Sequence, residues 1–179
     1  AANDIATQIS QIENMITGKC KVLVIAAIDG SSLSNVLATA KKKKIQVIAY
    51  DRLIMDTDAV TYYATFDNYK VGTLQGEYLV DKLGLKSRTA ADPVYMEFFT
   101  GDPGDNNINF FFGGAMDVLT PYLKSGVIVC PSGQTEKAQA ATLNWSTEEA
   151  QKRMEIWPRP SIFRLSRCGC SSVRDRATT

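Results

Sequence analysis

Residues 45–54 read IQVIAYDRLI, an apolar run that stops at an adjacent carboxylate and guanidinium, Asp51 and Arg52. A continuous apolar stretch of this length between polar flanks fits a strand of a parallel sheet covered on both faces. In open α/β sheets, ligands occupy the crevice beyond the carboxyl ends of the strands. Asp51 and Arg52 therefore stand where a binding site is expected.

The same logic extends in both directions. Upstream, VLVIAAI (22–28) is a second apolar strand, closed by Asp29, Gly30, Ser31 and Ser32, which are turn and helix-capping residues. Ile5, Ile9, Ile12 and Ile16 before it mark one face of a helix ended by Gly18. Leu33, Val36, Leu37 and Ala40 after it mark another, closed by the cations of 41–44. Downstream, a short strand is expected at 62–66. Asp67 and Asn68 then cap a helix running to about Leu83, with Val71, Leu74 and Tyr78 facing inward. Residues 84–93 read as a linker, polar with Gly84 near its start and Pro93 at its end. VYMEFFT (94–100) is a further strand and GDPGDNN (101–107) a loop at its carboxyl end. Phe111, Ala115, Val118 and Tyr122 mark a helix, 127–130 a short strand, and 147–155 a last helix just after Trp145. Alternation of strand and helix is the mark of βαβ units, so the expected fold class is α/β with parallel sheets in two lobes. The lobes are drawn at 1–88 and 89–155.

Composition narrows the chemistry. The 179 residues are 45% hydrophobic with a net charge of +1, an ordinary globular balance and not that of a nucleic-acid binder with a broad basic face. Residues 1–155 carry 12 Lys and 3 Arg against 18 acids, a net of −3, whereas 156–179 carry 5 Arg, no Lys and 1 acid, a net of +4. Histidine is absent, which removes Ser-His-Asp and Cys-His catalysis and histidine metal sites. Cys168 and Cys170 lack the spacing and the second pair of a zinc knuckle. Phosphate-binding and nucleophile-elbow motifs are missing too, so neither a metal nor another cofactor is expected.

Three strand ends carry polar clusters: Asp29, the pair Asp51 and Arg52, and the run Asp105, Asn106, Asn107. Asp29 reads first as a helix cap, and Asn106 and Asn107 read equally as a turn plus cap or as ligands. Asp51 and Arg52 suit a neutral polyol, because a carboxylate accepts hydroxyl hydrogens and a guanidinium donates in a fixed plane. Trp145, between Asn144 and Ser146, is expected to be half exposed, the kind of aromatic face on which a sugar's C–H face packs.

Three segments, 22–54, 62–84 (YYATFDNYKVGTLQGEYLVDKLG) and 101–126 (GDPGDNNINFFFGGAMDVLTPYLKSG), together resemble the periplasmic sugar-binding proteins of ABC importers, nearest to the xylose-binding and multiple-sugar-binding receptors. The resemblance runs from Asn3 to about Glu155. It implies two lobes of the type I periplasmic binding protein fold closing on a monosaccharide of xylose, glucose, galactose or arabinose type. Carried over, Asp51 and Arg52 match the first-lobe pair that bonds the sugar, Asn107 with Asn106 beside it the second-lobe amide, and Trp145 the stacking aromatic. The implied partners are importer membrane subunits, with a chemoreceptor or sensor kinase beyond them, and the implied location is the periplasm. An effector-binding domain of a transcriptional regulator shares the fold, and a sugar-processing α/β enzyme is a third reading. Against the family pattern, the chain opens inside a second βα unit, and 156–179 match no part of it. These residues are therefore expected to hold half-sites that close weakly on sugar, followed by a foreign tail.

Overall fold

The structure is a computed structural model and describes residues 3–156. The expected tail therefore lies outside the described residues, apart from Ile156. The elements in order are α1 (Ile5–Thr17), β1 (Val22–Ile25), α2 (Ser34–Lys42), β2 (Gln46–Tyr50), β3 (Tyr62–Ala64), α3 (Asn68–Lys82), β4 (Val94–Tyr95), α4 (Asn107–Lys124), β5 (Ile128–Val129), α5 (Lys137–Ala140) and α6 (Thr147–Ile156). They form two parallel sheets, β1-β2-β3 and β4-β5. The fold is α/β with parallel pairing, as expected.

The first core is built on one face of the three-stranded sheet. Leu23 and Ile25 of β1 and Val47 and Ala49 of β2 are buried with Ile12 and Ile16 of α1 and Val36, Leu37 and Ala40 of α2. Both helices thus cover the same face. The strands are not covered on both sides as expected: Val22 is 49% and Val24 64% exposed, and Tyr50 and Tyr62 lie open as well. In-register pairing puts Val24, Ile48 and Tyr62 on this second face, where no described helix packs.

The second core unites Phe98, Leu119, Val127, Ile128 and Ala140 with Val80 and Leu85. Helix α3 therefore belongs with this core, and the two cores divide between β3 and α3, well ahead of residue 88. The 84–93 stretch is not an interlobe linker. Gly84 (φ 62°) turns the chain out of α3, and Leu85, 1% exposed, plugs the same core. The strand expected over 94–100 is regular only at Val94–Tyr95, because its partner β5 is equally short. Backbone bonds continue from Met96 N to Val129 O (3.0 Å) and from Thr100 N to Ala140 O (2.8 Å).

Helix α3 starts where expected, with Asp67 accepting from Lys70 N at 2.8 Å. Its inward face is different. Leu74 and Tyr78 are exposed, and the buried positions are Asn68, Gly72, Gly76 and Val80. The reason is a seam of small residues. A Cβ on Gly72 would sit 2.1 Å from Phe111 O of α4, and one on Gly114 of α4 would sit 2.2 Å from Tyr69 O of α3. Backbones this close leave no room for side chains between them. On α4, Phe111, Ala115, Val118 and Tyr122 are half-buried along that seam, while Ile108 and Leu119 are fully inside.

Candidate functional site

The site begins with a bend. At the end of β2, Asp51 adopts φ 66°, a left-handed conformation that Asp tolerates better than most residues. Its N–H donates to Ala64 O of β3 (2.9 Å), and the next N–H, of Arg52, turns back to Tyr50 O (2.8 Å). The bend stops the strand and swings Arg52 across the end of β1. There Nη1 donates to Ile28 O at 2.6 Å, and Nε pairs with Asp105 Oδ2 at 2.8 Å. The Arg52 side chain is 24% exposed and that of Asp105 4%.

Asp105 comes from the second core's 101–107 loop, so this ion pair joins the two cores. A second bridge lies beside it. The carbonyl of Asp51 accepts from Tyr63 Oη (3.0 Å), Thr65 Oγ1 (3.1 Å) and Asn107 Nδ2 (3.2 Å). Asn107, the first residue of α4, is buried, and its Oδ1 accepts from Asn68 Nδ2 at 3.2 Å. Asp105 Oδ1 accepts from Asn107 N at 3.0 Å, which ties the two bridges together. Among the described residues, nothing donates to the Asp51 carboxylate.

Loop 101–107 is pressed against the first core at a glycine pair. A Cβ on Gly104 would come 2.8 Å from Asp29 Oδ2, and one on Gly30 3.0 Å from Leu53 O. Asp29 itself gathers Ser32 Oγ (2.5 Å), Ser32 N (2.8 Å) and Ser31 N (3.0 Å) on one oxygen. The Ser32 hydroxyl bond above all holds its carboxyl below the ordinary value of 3.8. The expected capping role is not met: Asp29 closes a turn ahead of α2, while Leu33 holds the cap position with no side-chain cap bond.

On its other side the loop carries Trp145. Asp102 accepts from Gly104 N (2.7 Å) and from Asn144 N (2.5 Å), and so anchors the turn that presents the indole. Asn144 and Trp145 both have positive φ, 55° and 53°. The ring lies on the backbone of Gly101, where a Cβ would be 2.0 Å from its Cζ2, and the residue is 47% exposed. Arg153 of α6 pins the following segment by donating to Gln139 O (3.2 Å), Ala141 O (3.3 Å) and Phe98 O while lying over the Phe99 ring at 3.9 Å.

Of the five residues expected from sequence, Asp51, Arg52 and Asn107 meet in one bonded cluster. Trp145 is linked to their loop through Asp102, with its ring open. Asn106 stands apart: its Oδ1 accepts from Asn109 Nδ2 (3.0 Å), and it lines a groove with Leu53, Tyr63, Phe66 and Phe110. Sequence reasoning passed over Asp105 as a partner, Asp102, Tyr63 and Asn68. Asp105 was visible as a member of the polar run, but its buried pairing with Arg52 is a long-range contact with no local pattern.

Comparisons with known proteins establish the family. The family model described as a periplasmic binding protein domain matches residues 1–160. The chain belongs to the periplasmic binding protein family. Within this periplasmic binding protein family, it is 52% identical over 155 residues to the multiple sugar-binding periplasmic protein of Azospirillum brasilense, covering 87% of this chain and 43% of that protein. It is 43% identical over 150 residues to the D-xylose-binding periplasmic protein of Escherichia coli K12, covering 83% and 41% respectively. Among solved structures, an ABC transporter solute-binding protein of Clostridium phytofermentans with bound β-D-glucose superposes with a TM-score of 0.82 at 62% identity, over 87% of this chain and 47% of that one. The chain thus spans somewhat under half the length of these periplasmic binding proteins.

Proposed function

We propose that this chain contributes the facing half-sites of a monosaccharide receptor that delivers sugar to an ABC importer. It acts by binding, without catalysis. The observation that carries this reading is the junction at the end of β2, where Arg52 pairs with Asp105 and the Asp51 carbonyl takes the Asn107 amide. Two cores are joined there by polar groups, next to a carboxylate with no donor among the described residues and within one loop of an open indole ring. A sugar offers hydroxyls to such groups and a C–H face to the ring. Ligand would then favour the closed arrangement by its differential affinity for the two states. The relatives, named as binding multiple sugars or D-xylose, and the structure holding β-D-glucose support the same class of ligand.

The reading extends to a periplasmic location, to membrane subunits of the importer as partners, and to a chemoreceptor or sensor kinase as a further partner. The test is tryptophan fluorescence of the chain titrated with xylose, glucose, galactose and arabinose into the high-millimolar range, beside a Trp145→Phe variant. A saturable change for one or two sugars that disappears in the variant is expected. A flat response to all four, in a chain that unfolds cooperatively, would refute it.

A further inference from the structure

An amide has a donating end and an accepting end, and a ligand can use only the end that the protein leaves free. We propose that Asn68 is a positioning residue that holds the Asn107 side-chain amide in one orientation, so that it offers the cleft a donor and never an acceptor. This deepens the sugar-cleft reading and rests on it for its consequence, though not for its geometry.

The orientation follows from chemistry. A backbone carbonyl carries no hydrogen, so the group of Asn107 that lies 3.2 Å from Asp51 O must be the N–H end. That places Oδ1 on the opposite side, where Asn68 Nδ2 meets it at 3.2 Å. Asn68 is held in turn by a longer contact from the same nitrogen to Thr65 Oγ1, 3.4 Å. Tyr63 Oη is near both ends, 3.0 Å from Asp51 O and 3.5 Å from Asn107 Oδ1, but its single proton serves the nearer oxygen. Asn68 is therefore the donor that matters for Asn107.

Asn68 does this at a cost. Its own Oδ1 is buried without a partner among the described residues. A turned Asn68 amide would set oxygen against oxygen at Asn107, so the strain cannot be relieved without turning Asn107 too, away from the Asp51 carbonyl. A leucine of the same shape would remove the orphaned Asn68 oxygen, but it would take from the buried Asn107 Oδ1 the donor it has at 3.2 Å. What leucine would lose is the orientation of Asn107.

The consequence is polarity. One Nδ2 hydrogen of Asn107 goes to Asp51 O, and no described residue accepts the other. A ligand atom there must be an acceptor, a ring oxygen or a hydroxyl oxygen, while the Asp51 carboxylate takes hydroxyl hydrogens. Replacing a hydroxyl by fluorine keeps a weak acceptor and removes the donor, so the two groups should respond oppositely to deoxyfluoro sugars.

Two readouts on the full chain test this. In 15N spectra at neutral pH, the Asn107 side-chain NH2 is expected to exchange with water at least tenfold faster in Asn68→Leu than in the wild type, and to stay within about twofold in Tyr63→Phe, because the donor that holds Asn107 Oδ1 is lost in the first only. Asn68→Ala, which removes the same donor with a smaller side chain, should behave like Asn68→Leu and guards against misfolding of either variant. Unchanged exchange in a folded Asn68 variant overturns the proposal. The second readout uses D-glucose and its mono-deoxy and mono-deoxyfluoro analogues. At one ring position, the wild type is expected to prefer fluoro over deoxy by about fivefold, the scale of one hydrogen bond, and Asn68→Leu to bring the ratio near one. A wild type that binds glucose with the same ratio in the variant also overturns it. Should glucose and its analogues leave the wild type unmoved, the sugar reading fails by itself, and the exchange result still decides the role of Asn68.

Discussion

Replacing Arg52 by methionine removes the cation from the bridge between the cores and leaves Asp105 charged and 4% exposed. Breaking a buried pair by taking away one partner costs about 3–5 kcal/mol, most of it the uncompensated charge left behind. Asp105 Oδ1 keeps its bond from Asn107 N at 3.0 Å, which places this term near the low end, about 3 kcal/mol. The lost donor to Ile28 O adds about 1 kcal/mol. Arg52→Met should therefore cost about 4 kcal/mol. Asp105→Asn keeps the shape and the acceptor, and leaves behind an Arg52 that is 24% exposed and still bonded to Ile28 O. It should cost only about 1.5 kcal/mol. Combining them removes the orphaned charge, so the double variant should cost about 2 kcal/mol less than the sum of the singles. Urea unfolding at pH 7, followed by circular dichroism, gives all three values. A double variant that is additive, or an Arg52→Met chain no less stable than Asp105→Asn, would sink the argument that the deeper partner sets the cost.

The helix seam provides a paired comparison. Gly72→Ala, whose Cβ meets Phe111 O at 2.1 Å, should lose about 3 kcal/mol in the same assay, whereas Gly113→Ala, with nothing within 4 Å, should be neutral or gain up to about 1 kcal/mol from helix propensity. Gly101→Ala would drive a methyl into the Trp145 ring, so the indole should move into water, shift its emission to the red and lose any sugar response. Asp29 should leave a mark in acid. Its folded pKa is depressed, chiefly by the Ser32 hydroxyl, so its contribution to stability is full above the unfolded value of about 4 and fades as pH falls through the folded one. The stability gap between wild type and D29N, measured by urea unfolding, should be constant from pH 7 to about 5 and close below about 4; a gap that widens in acid would contradict this.

The elements, and the helix ends at Gly18 and Asp67, were readable in the chain because they depend on neighbours in sequence. The period of Ile12 and Ile16, the apolar runs ending at Asp29 and Asp51, and Asp67 ahead of α3 each state a local preference. Site candidates were readable for a related reason, since strand ends in a parallel sheet converge and polar residues there stand out against apolar runs. The family resemblance pointed to the same residues. Reading large apolar residues as the inward face failed at α3, where contact is made by glycines that carry no hydrophobic signature. Composition marked 84–93 as a linker, while packing made its start a turn inside the second core.

By itself, then, the sequence determined the α/β alternation, the strand end at Asp51 with Arg52 beyond it, and the polar run at 105–107. Tertiary structure alone decided that Arg52 finds Asp105, that Asn107 is buried with its oxygen turned to Asn68, and that α3 sides with the second core. Periodicity and capping are encoded within a few residues. Pairing across 53 positions, from Arg52 to Asp105, depends on where two separately packed cores bring their loops, and no local pattern records that distance.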